Sequence, residues 1–583
     1  TGYKTNLRTT ITANFKLAQE LDMITKGLKF TGLFSFKNYS SSSTERSASY
    51  NHYYMSSYDP SSMEYKITRI GDEQSTALTN DGSRNGDRKM YFQAILDYNR
   101  IFKEVHDLNI MFLYNQEQYD INGPTTLFSS LPQRKQGVAG RVSYSYDGRY
   151  YIEGNFGYNG SENFAKGHRF GFFPSIAVGY NISNEKFWQP IKPVISNLKI
   201  RGSWGLVGND ATNAGRFAYM EDLVLGGSDS YTTGIRQDTY YSGPSWNRYF
   251  NPDLTWEVGE KINLGLDLQL FNDFNLTFDI FREKRRDIFM TRENSIPEIV
   301  GTGETKITSN NGEMENKGLD LAIDYNKQIT KDFFLSFKST LTFARNKVLK
   351  MDEPPYFEYP GLSDVGHPLG TYWGYVADGL FPDQETIDNS PRQDLGYTPQ
   401  PGDIKYVNQP NAKGEYDNVI NSNDRVAIGH PYDPELVYGF GPSMKWKNWD
   451  FSFFFQGVAR TSFMMYGMHP FGTTSIKNML QFVADDHWSV DNPNPNAAYP
   501  RLTKDSNGNN DQYSTYWLRN AAFLKLKNAE IGYTYKGMRF YLSGVNLLTF
   551  SPFKHWDPEM GGGNGLYYPT QRVFNIGFQM TIQ

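Results

Sequence analysis

The chain has 583 residues, 58 basic against 63 acidic, a formal net charge of −5, 16% aromatics and no cysteine. That balance offers no basic stripe for nucleic acid, and it rules out disulfides and thiolate chemistry. No run approaches the ~18–20 consecutive apolar residues of a spanning helix, which excludes a helical membrane protein. A transmembrane barrel stays open, because its polar pore-facing residues would pull down the mean hydropathy, here −0.60. The N-terminal "TGYKTNLRTTITANFKLA" lacks the basic and then apolar pattern of a signal peptide. The expectation is a processed chain or one that begins partway through a longer protein.

Alternation of apolar and polar residues predicts roughly 17 strands along the chain. Short connections fall at "YDGRY" (Asp147-Gly148), "LFNDFN" (Asn272-Asp273), "YNKQITKDFF", "KWKNWD" and "YKGMRF" (Lys536-Gly537). Long polar connections fall near 38–89, 119–135, 208–255, 290–311, 347–431, 462–515 and 551–567, and the two kinds alternate. Compact soluble domains rarely carry several loops of that length, whereas outer-membrane barrels combine short periplasmic turns with long external loops. The fold class predicted is therefore all-β, a transmembrane antiparallel barrel.

The stretch 262–281 predicts a hairpin with one oily face. Leu264, Leu266, Leu268 and Phe278 are expected to face lipid, and Asp267 and Asp279 the lumen. Strands at 274–289, 332–346 and 538–550 have the ~9–11 residues that cross a bilayer when tilted. In the last strand, "RVFNIGFQMTIQ", Phe574, Ile576, Phe578, Met580 and Ile582 form the lipid row. Asp320, Asp324, Lys338, Lys525 and Lys527 are further lumen candidates on polar faces. Aromatics near strand ends (Phe187, Trp188; Trp446, Trp449; Tyr372, Trp373, Tyr375) suggest interfacial girdles.

In the C-terminal half the residues become specific. "PGDIKYVNQ" (401–409), "DNVINSNDRVAIGHPYDPELVYGFGPSMKWKNWDFSFFFQGV" (417–458), "NPNAAYPRL" (494–502), "YWLRNAAFLKLKNAEIGYTY" (516–535) and "YLSGVNLLTFSPFKHWDPEM" (541–560) resemble the SusC-like (SusC/RagA) TonB-dependent outer-membrane transporters. "NLTFDIFREKRRDIFM" (275–290) and "GEMENKGLDLAIDY" (312–325) resemble earlier strands of that family, so the matches run in order over roughly 140–583.

The resemblance implies a 22-stranded barrel filled by an N-terminal plug. Residues 1–583 would then be its C-terminal barrel portion, lacking the plug and first strands and closing against strands supplied elsewhere, with Thr1 on the external side. It implies import of an oligosaccharide or peptide, energy from TonB-ExbB-ExbD, and a SusD-like surface lipoprotein as a lid. The family's calcium-like loop is altered to "NQPNAKGEYDNV", where Asp417, Asn421, Asn423 and Asp424 could still offer oxygens to a hard cation. A solvated turn is the plainer expectation there, and no cofactor or catalytic residue is expected.

Sugar recognition favours aromatic platforms on external loops. Trp246, Tyr249, Tyr372, Trp373, His487 and Trp488 are the substrate-contact candidates, with loop-on-loop packing as the competing role. The histidines show no zinc spacing, and "GGGNG" (561–565) lacks the strand-to-helix setting of a phosphate cradle. Two other readings remain open: a scaffold barrel of the same family that transports nothing, and a secreted β-rich glycan-processing enzyme built on a carboxylate pair.

Overall fold

A computed structural model describes residues 2–580 apart from 75–76, 212–214, 227–229, 293, 301–306, 467–470, 473–474, 477–479 and 504–506. Seventeen strands form one sheet. They are β1 (Gly2–Glu20), β2 (Leu28–Ser47), β3 (Thr79–Phe102), β4 (His106–Asn122), β5 (Gln133–Tyr146), β6 (Tyr150–Ser161), β7 (Phe170–Asn181) and β8 (Ile195–Asn209). Then follow β9 (Glu257–Leu270), β10 (Phe274–Arg292), β11 (Ile307–Thr330), β12 (Phe333–Lys350), β13 (Leu436–Trp446), β14 (Trp449–Ala459), β15 (Phe523–Tyr535), β16 (Met538–Phe550) and β17 (Val573–Met580). Every strand pairs antiparallel with its neighbours in sequence, and among the described residues β1 and β17 have one partner each.

The short connections hold because their backbones suit a tight return. Asp147 and Gly148 both have positive φ (52° and 61°), as do Lys536 and Gly537 (47° and 81°), which matches the twist of the flanking strands. At the β9–β10 turn it is Phe271 and Asn272 that take positive φ, one residue before the expected pair. Register then follows the hydrophobic pattern, with Leu264 opposite Ile280, Leu266 opposite Phe278 and Leu268 opposite Leu276.

Carried strand to strand, this register gives the sheet one apolar and one polar face. Leu264 is 50% exposed on the apolar face, Leu266, Leu268 and Phe278 are intermediate, and Phe574, Ile576 and Phe578 on the edge strand β17 are all exposed. Ile582 lies outside the described residues. Each of these side chains sits on the surface of the sheet, with no second layer packed over it.

The polar face is held by cross-strand ion pairs. Arg201 on β8 reaches Asp267 on β9 (3.2 Å) and Asp279 on β10 (2.6 Å). Gly265 leaves the room for that crossing, since a Cβ there would meet the guanidinium carbon of Arg201 at 2.4 Å. Asp320 stands directly opposite Asp279 and accepts from the Thr342 hydroxyl at 2.6 Å, while Lys338 and Asp324 are 3.9 Å apart.

The hydrophobic core lies in the connections and not in the sheet. Residues 351–435, 460–522 and 551–572 join into a cap whose buried side chains include Leu380, Ile404, Tyr406, Ile420, Phe463, Met465, Tyr499 and Phe553. Burying a side chain of that size is worth about 1.5–3 kcal/mol, so these segments pack as a structured unit. Tyr375 belongs to this core, Tyr372 packs beside it and Trp373 meets the His367 ring in the same connection, which corrects their expected place in a girdle. Trp446 and Trp449 do sit at a strand end, facing each other across the β13–β14 turn. The predicted 38–89 loop is also corrected: β2 continues to Ser47, β3 begins at Thr79, and a hairpin (His52–Asp59, Glu64–Ile70) stands between them.

Candidate functional site in the loop cap

Short paired segments stitch the cap together. Tyr372–Gly374 pairs with Val426–Ile428, Ala377–Leu380 with Ile404–Tyr406, and Ser462–Met464 with Leu518–Asn520. At the centre is Asp403, fully buried, from the "PGDIKY" run. Its Oδ1 accepts from Arg501 Nε (2.7 Å), Asn507 Nδ2 (2.9 Å) and Asn510 Nδ2 (2.9 Å), and its Oδ2 accepts from the Gln400 amide (2.8 Å). Gly402 precedes it with φ +89°, and a Cβ there would fall 2.2 Å from the Trp488 ring. Any side chain at 402 would push that indole out of place, which accounts for the Pro-Gly-Asp sequence in structural terms.

One tyrosine-rich pocket of about 220 Å³ opens in the cap. It is lined by Tyr372, Tyr432, Tyr466, Tyr513 and Tyr567, with Met464, Met560, Gly561 and Gly562. Three chain segments converge to build it. Tyr372 enters from a cap strand, Tyr466 is fixed as its amide donates to the Gly563 carbonyl (3.1 Å), and Gly563 N–H donates to Met464 O (2.9 Å). Burial pushes the Tyr372 phenol up to about 12, and a hydrogen bond with Tyr466 holds the Tyr567 phenol above its ordinary range. Both therefore stay protonated near neutrality and keep an O–H to donate. Among the described residues the lining presents ring faces and hydroxyls with no charged side chain, which suits a neutral polar ligand.

The six expected contact residues do not converge. Trp246 and Tyr249 stack on each other (centroids 5.5 Å apart) in the separate 210–256 connection. Trp373 donates its indole N–H to Asp364 (2.6 Å) and meets His367 edge-on. His487 is tied to the Ala484 carbonyl through Nδ1 (2.8 Å). Trp488 is 7% exposed against the cap core, and with His487 and Arg501 it lines a separate cleft of about 400 Å³. Tyr372 alone reaches the tyrosine pocket. Its partners Tyr432, Tyr466, Tyr513 and Tyr567 carry no local signal beyond being loop tyrosines, and "GGGNG" proves to be the close-packed wall beside them.

Lys525 also departs from expectation. It is fully buried, with Nζ 2.6 Å from Asp557 and 2.5 Å from Glu559, so it clamps the 551–572 connection to β15 and does not line open water. Lys527 joins the same clamp through Glu559 at 3.0 Å.

The altered calcium-like loop is solvated over residues 412–418, Asp417 included, as expected, and is buried at its end. Asp424 is 3% exposed and accepts from the amides of Gln409 (2.7 Å) and Asn421 (2.8 Å). Asn421 accepts from the Asn423 amide, and Asp417 from that of Val419. The side chains of Asp417, Asn421 and Asp424 thus hold backbone, and Asn423 contributes its amide. Burial, reinforced by the Asp417 charge, raises the Asp424 pKa above the ordinary 3.8.

A raised carboxylate binds more protons folded than unfolded, so its contribution is fullest below the ordinary value and is lost as pH rises through the folded one. Amides of residues 408–424 should accordingly become better protected on going from pH 7 to pH 4, after correction for intrinsic exchange. Asp424→Asn should remove that trend; a trend that persists in the variant would refute this origin.

An antiparallel sheet of 17 strands, with an unlayered apolar face and a polar face laced by ion pairs, defines an outer-membrane transmembrane β-barrel. Residues 1–547 match the family model described as TonB dependent receptor-like, beta-barrel, and the chain belongs to that family. It is 29% identical over 468 residues to the TonB-dependent receptor SusC of Bacteroides thetaiotaomicron, covering 76% of this chain and 43% of SusC. It is 27% identical over 478 residues to TonB-dependent receptor P3 of Formosa agariphila, covering 76% and 45%.

The chain thus spans less than half the length of these curated relatives. Among solved structures it resembles the RagAB peptide transporter (TM-score 0.73, 19% identity, 99% of this chain and 62% of that one). Its likeness to the 'open-open' state of the RagAB peptide importer is similar (TM-score 0.75, 19% identity, covering 99% and 62%). The family match places the chain in the outer membrane as a TonB-dependent receptor β-barrel, and it is similar to SusC.

Proposed function

We propose that this chain is the barrel portion of a TonB-dependent importer whose cap captures a neutral oligosaccharide. The apolar face, with Leu264, Leu266, Leu268, Phe278, Phe574, Ile576 and Phe578, meets lipid. The polar face, with Asp267, Asp279, Asp320, Asp324 and Lys338, meets the lumen and a plug. Free edges at β1 and β17 would leave backbone groups unsatisfied in hydrocarbon at several kcal/mol each, so further strands of the protein close them. A SusD-like lipoprotein covers the mouth, and TonB-ExbB-ExbD drives plug displacement.

The observation that carries the cargo class is the tyrosine pocket. Stacking rings and phenolic hydroxyls recognise sugar rings, while a peptide's charged termini and side chains would find no counter-charge among the described residues of its lining. The test is calorimetry on the full protein with panels of neutral oligosaccharides and of peptides. Tyr466→Ala and Tyr567→Ala should each weaken oligosaccharide binding about tenfold, the cost of roughly 1.4 kcal/mol. Binding of peptides alone, or unaltered affinity in both variants, would reject the cargo assignment. Loss of growth on the bound sugar after gene deletion separates an importer from a scaffold.

A further inference from the structure

A cleft of about 460 Å³ lies outside the cap, among the strands β2 to β7. Its lining follows two adjacent rows across the apolar face. One row runs Phe34, Phe92, Gln116, Gln136, Gly160, Phe170, each residue directly paired with the next from β2 to β7. In the next row Met90 pairs with Gln118 and Gln118 with Arg134. The walls are the aromatic rings: Phe170 lies over Gly160, whose added Cβ would touch it at 2.5 Å, and Phe34, Phe92 and Phe170 stay 40–43% exposed. Three glutamines and Arg134 sit between them, and Glu117, Lys135, Glu162 and Arg169 complete the polar part of the lining.

The height of the cleft explains this mixture. Phe92, Gln116, Gln136, Gly160 and Phe170 each stand ten residues from the short-turn row Phe102, His106, Tyr146, Tyr150, Tyr180. At about 3.3 Å per residue that is ~33 Å along the strand. A tilt of roughly 40° turns it into ~25 Å, the height of the apolar band of an outer-membrane barrel. The cleft therefore lies at the external border of the hydrocarbon, where acyl chains give way to headgroups. It is continuous with the lipid surface below, and above it runs a polar chain in which Arg134 Nε donates to Gln118 Oε1 (3.3 Å), Gln118 Nε2 to Asp120, and Arg88 pairs with Asp120 (3.2 Å).

We infer that this cleft binds one outer-leaflet glycolipid. An acyl chain lies between Phe34, Phe92 and Phe170, the hydroxyls and amides of an acylated sugar meet Gln116, Gln118 and Gln136, and a sugar phosphate meets Arg134. Arg134 is exposed and only loosely engaged by Glu162 at 3.8 Å, so its guanidinium can turn to an anion without stranding a tight pair.

The probe is lipid A, a bis-phosphorylated acylated glucosamine disaccharide, doped into phosphatidylethanolamine nanodiscs holding the full protein. Retained lipid is counted by native mass spectrometry. Arg134→Ala with Gln136→Leu should lower lipid A retention at least tenfold. Lys284→Ala should leave it unchanged, since Lys284 sits on the same face ten residues from Phe274 but away from the cleft. Equal loss in Lys284→Ala, full retention in the double variant, or phosphatidylethanolamine held as firmly as lipid A would overturn the inference. Should the double variant fail to assemble, a photoreactive lipid A probe on the unaltered protein decides: labelling at Phe34, Phe92, Gln116, Gln136 or Phe170 or their immediate neighbours supports the site, and labelling confined to other strands refutes it.

Discussion

Asp403→Ala should unfold the cap while the sheet stays paired. The carboxylate is fully buried and gathers donors from segments about a hundred residues apart, Gln400 on one side and Arg501, Asn507 and Asn510 on the other. Removing it leaves the Arg501 guanidinium, 16% exposed, with the Tyr397 hydroxyl as its remaining neutral acceptor. Deleting one partner of such a buried pair costs about 3–5 kcal/mol, because the surviving charge is left desolvated. The freed amides of Asn507 and Asn510 add to that cost, at ~1–3 kcal/mol for each buried donor left unsatisfied. This is comparable with the whole stability of a small domain. Hydrogen exchange should show residues 393–406 and 507–521 losing protection while strands β9 to β12 keep theirs. Unchanged protection in the cap would mean that Asp403 is not its keystone.

Lys525→Ala should release the 551–572 connection from β15 and abolish the tyrosine pocket with it. Asp557 and Glu559 would lose the ammonium that neutralises both, again at about 3–5 kcal/mol. Lys527 would still hold Glu559, but Asp557 would be left without a cation among its hydrogen-bonded neighbours. Met560, Gly561, Gly562 and Tyr567 ride on this connection, so the pocket loses a wall when it lifts. Removing every charge at once, as Lys525→Met and Lys527→Met with Asp557→Asn and Glu559→Gln, should restore much of the stability, since an uncharged cluster strands nothing. Ligand calorimetry and the fluorescence of Trp556 report the two effects. A single variant that binds ligand and melts like the parent would refute the clamp.

The strands were legible because a half-buried strand writes its orientation into every second residue. Leu264 to Leu270 and Phe574 to Phe578 could be assigned a face without any knowledge of their neighbours, and the short turns showed themselves through Asp147-Gly148 and Lys536-Gly537. The cap was not legible for the opposite reason. Its contacts join residues such as Asp403 and Asn510, or Met465 and Gly563, whose spacing has no period. Trp488 looks like a ligand platform in sequence, and its packing against the cap core shows only in space, where the fold brings Gly402 beneath it. The burial of Lys525 was hidden likewise: alternation placed it correctly on the polar face, but the acids that bury it come from a distant connection.

The segregation of the apolar core into three connections has a cellular consequence. Damage to the mouth and damage to the pore wall are separable failures. A cell carrying a broken cap would keep the paired sheet in its envelope beneath an unfolded mouth, so quality control that senses strand pairing would let it pass. The same independence leaves the mouth free to be remodelled by substitution alone, with the wall untouched.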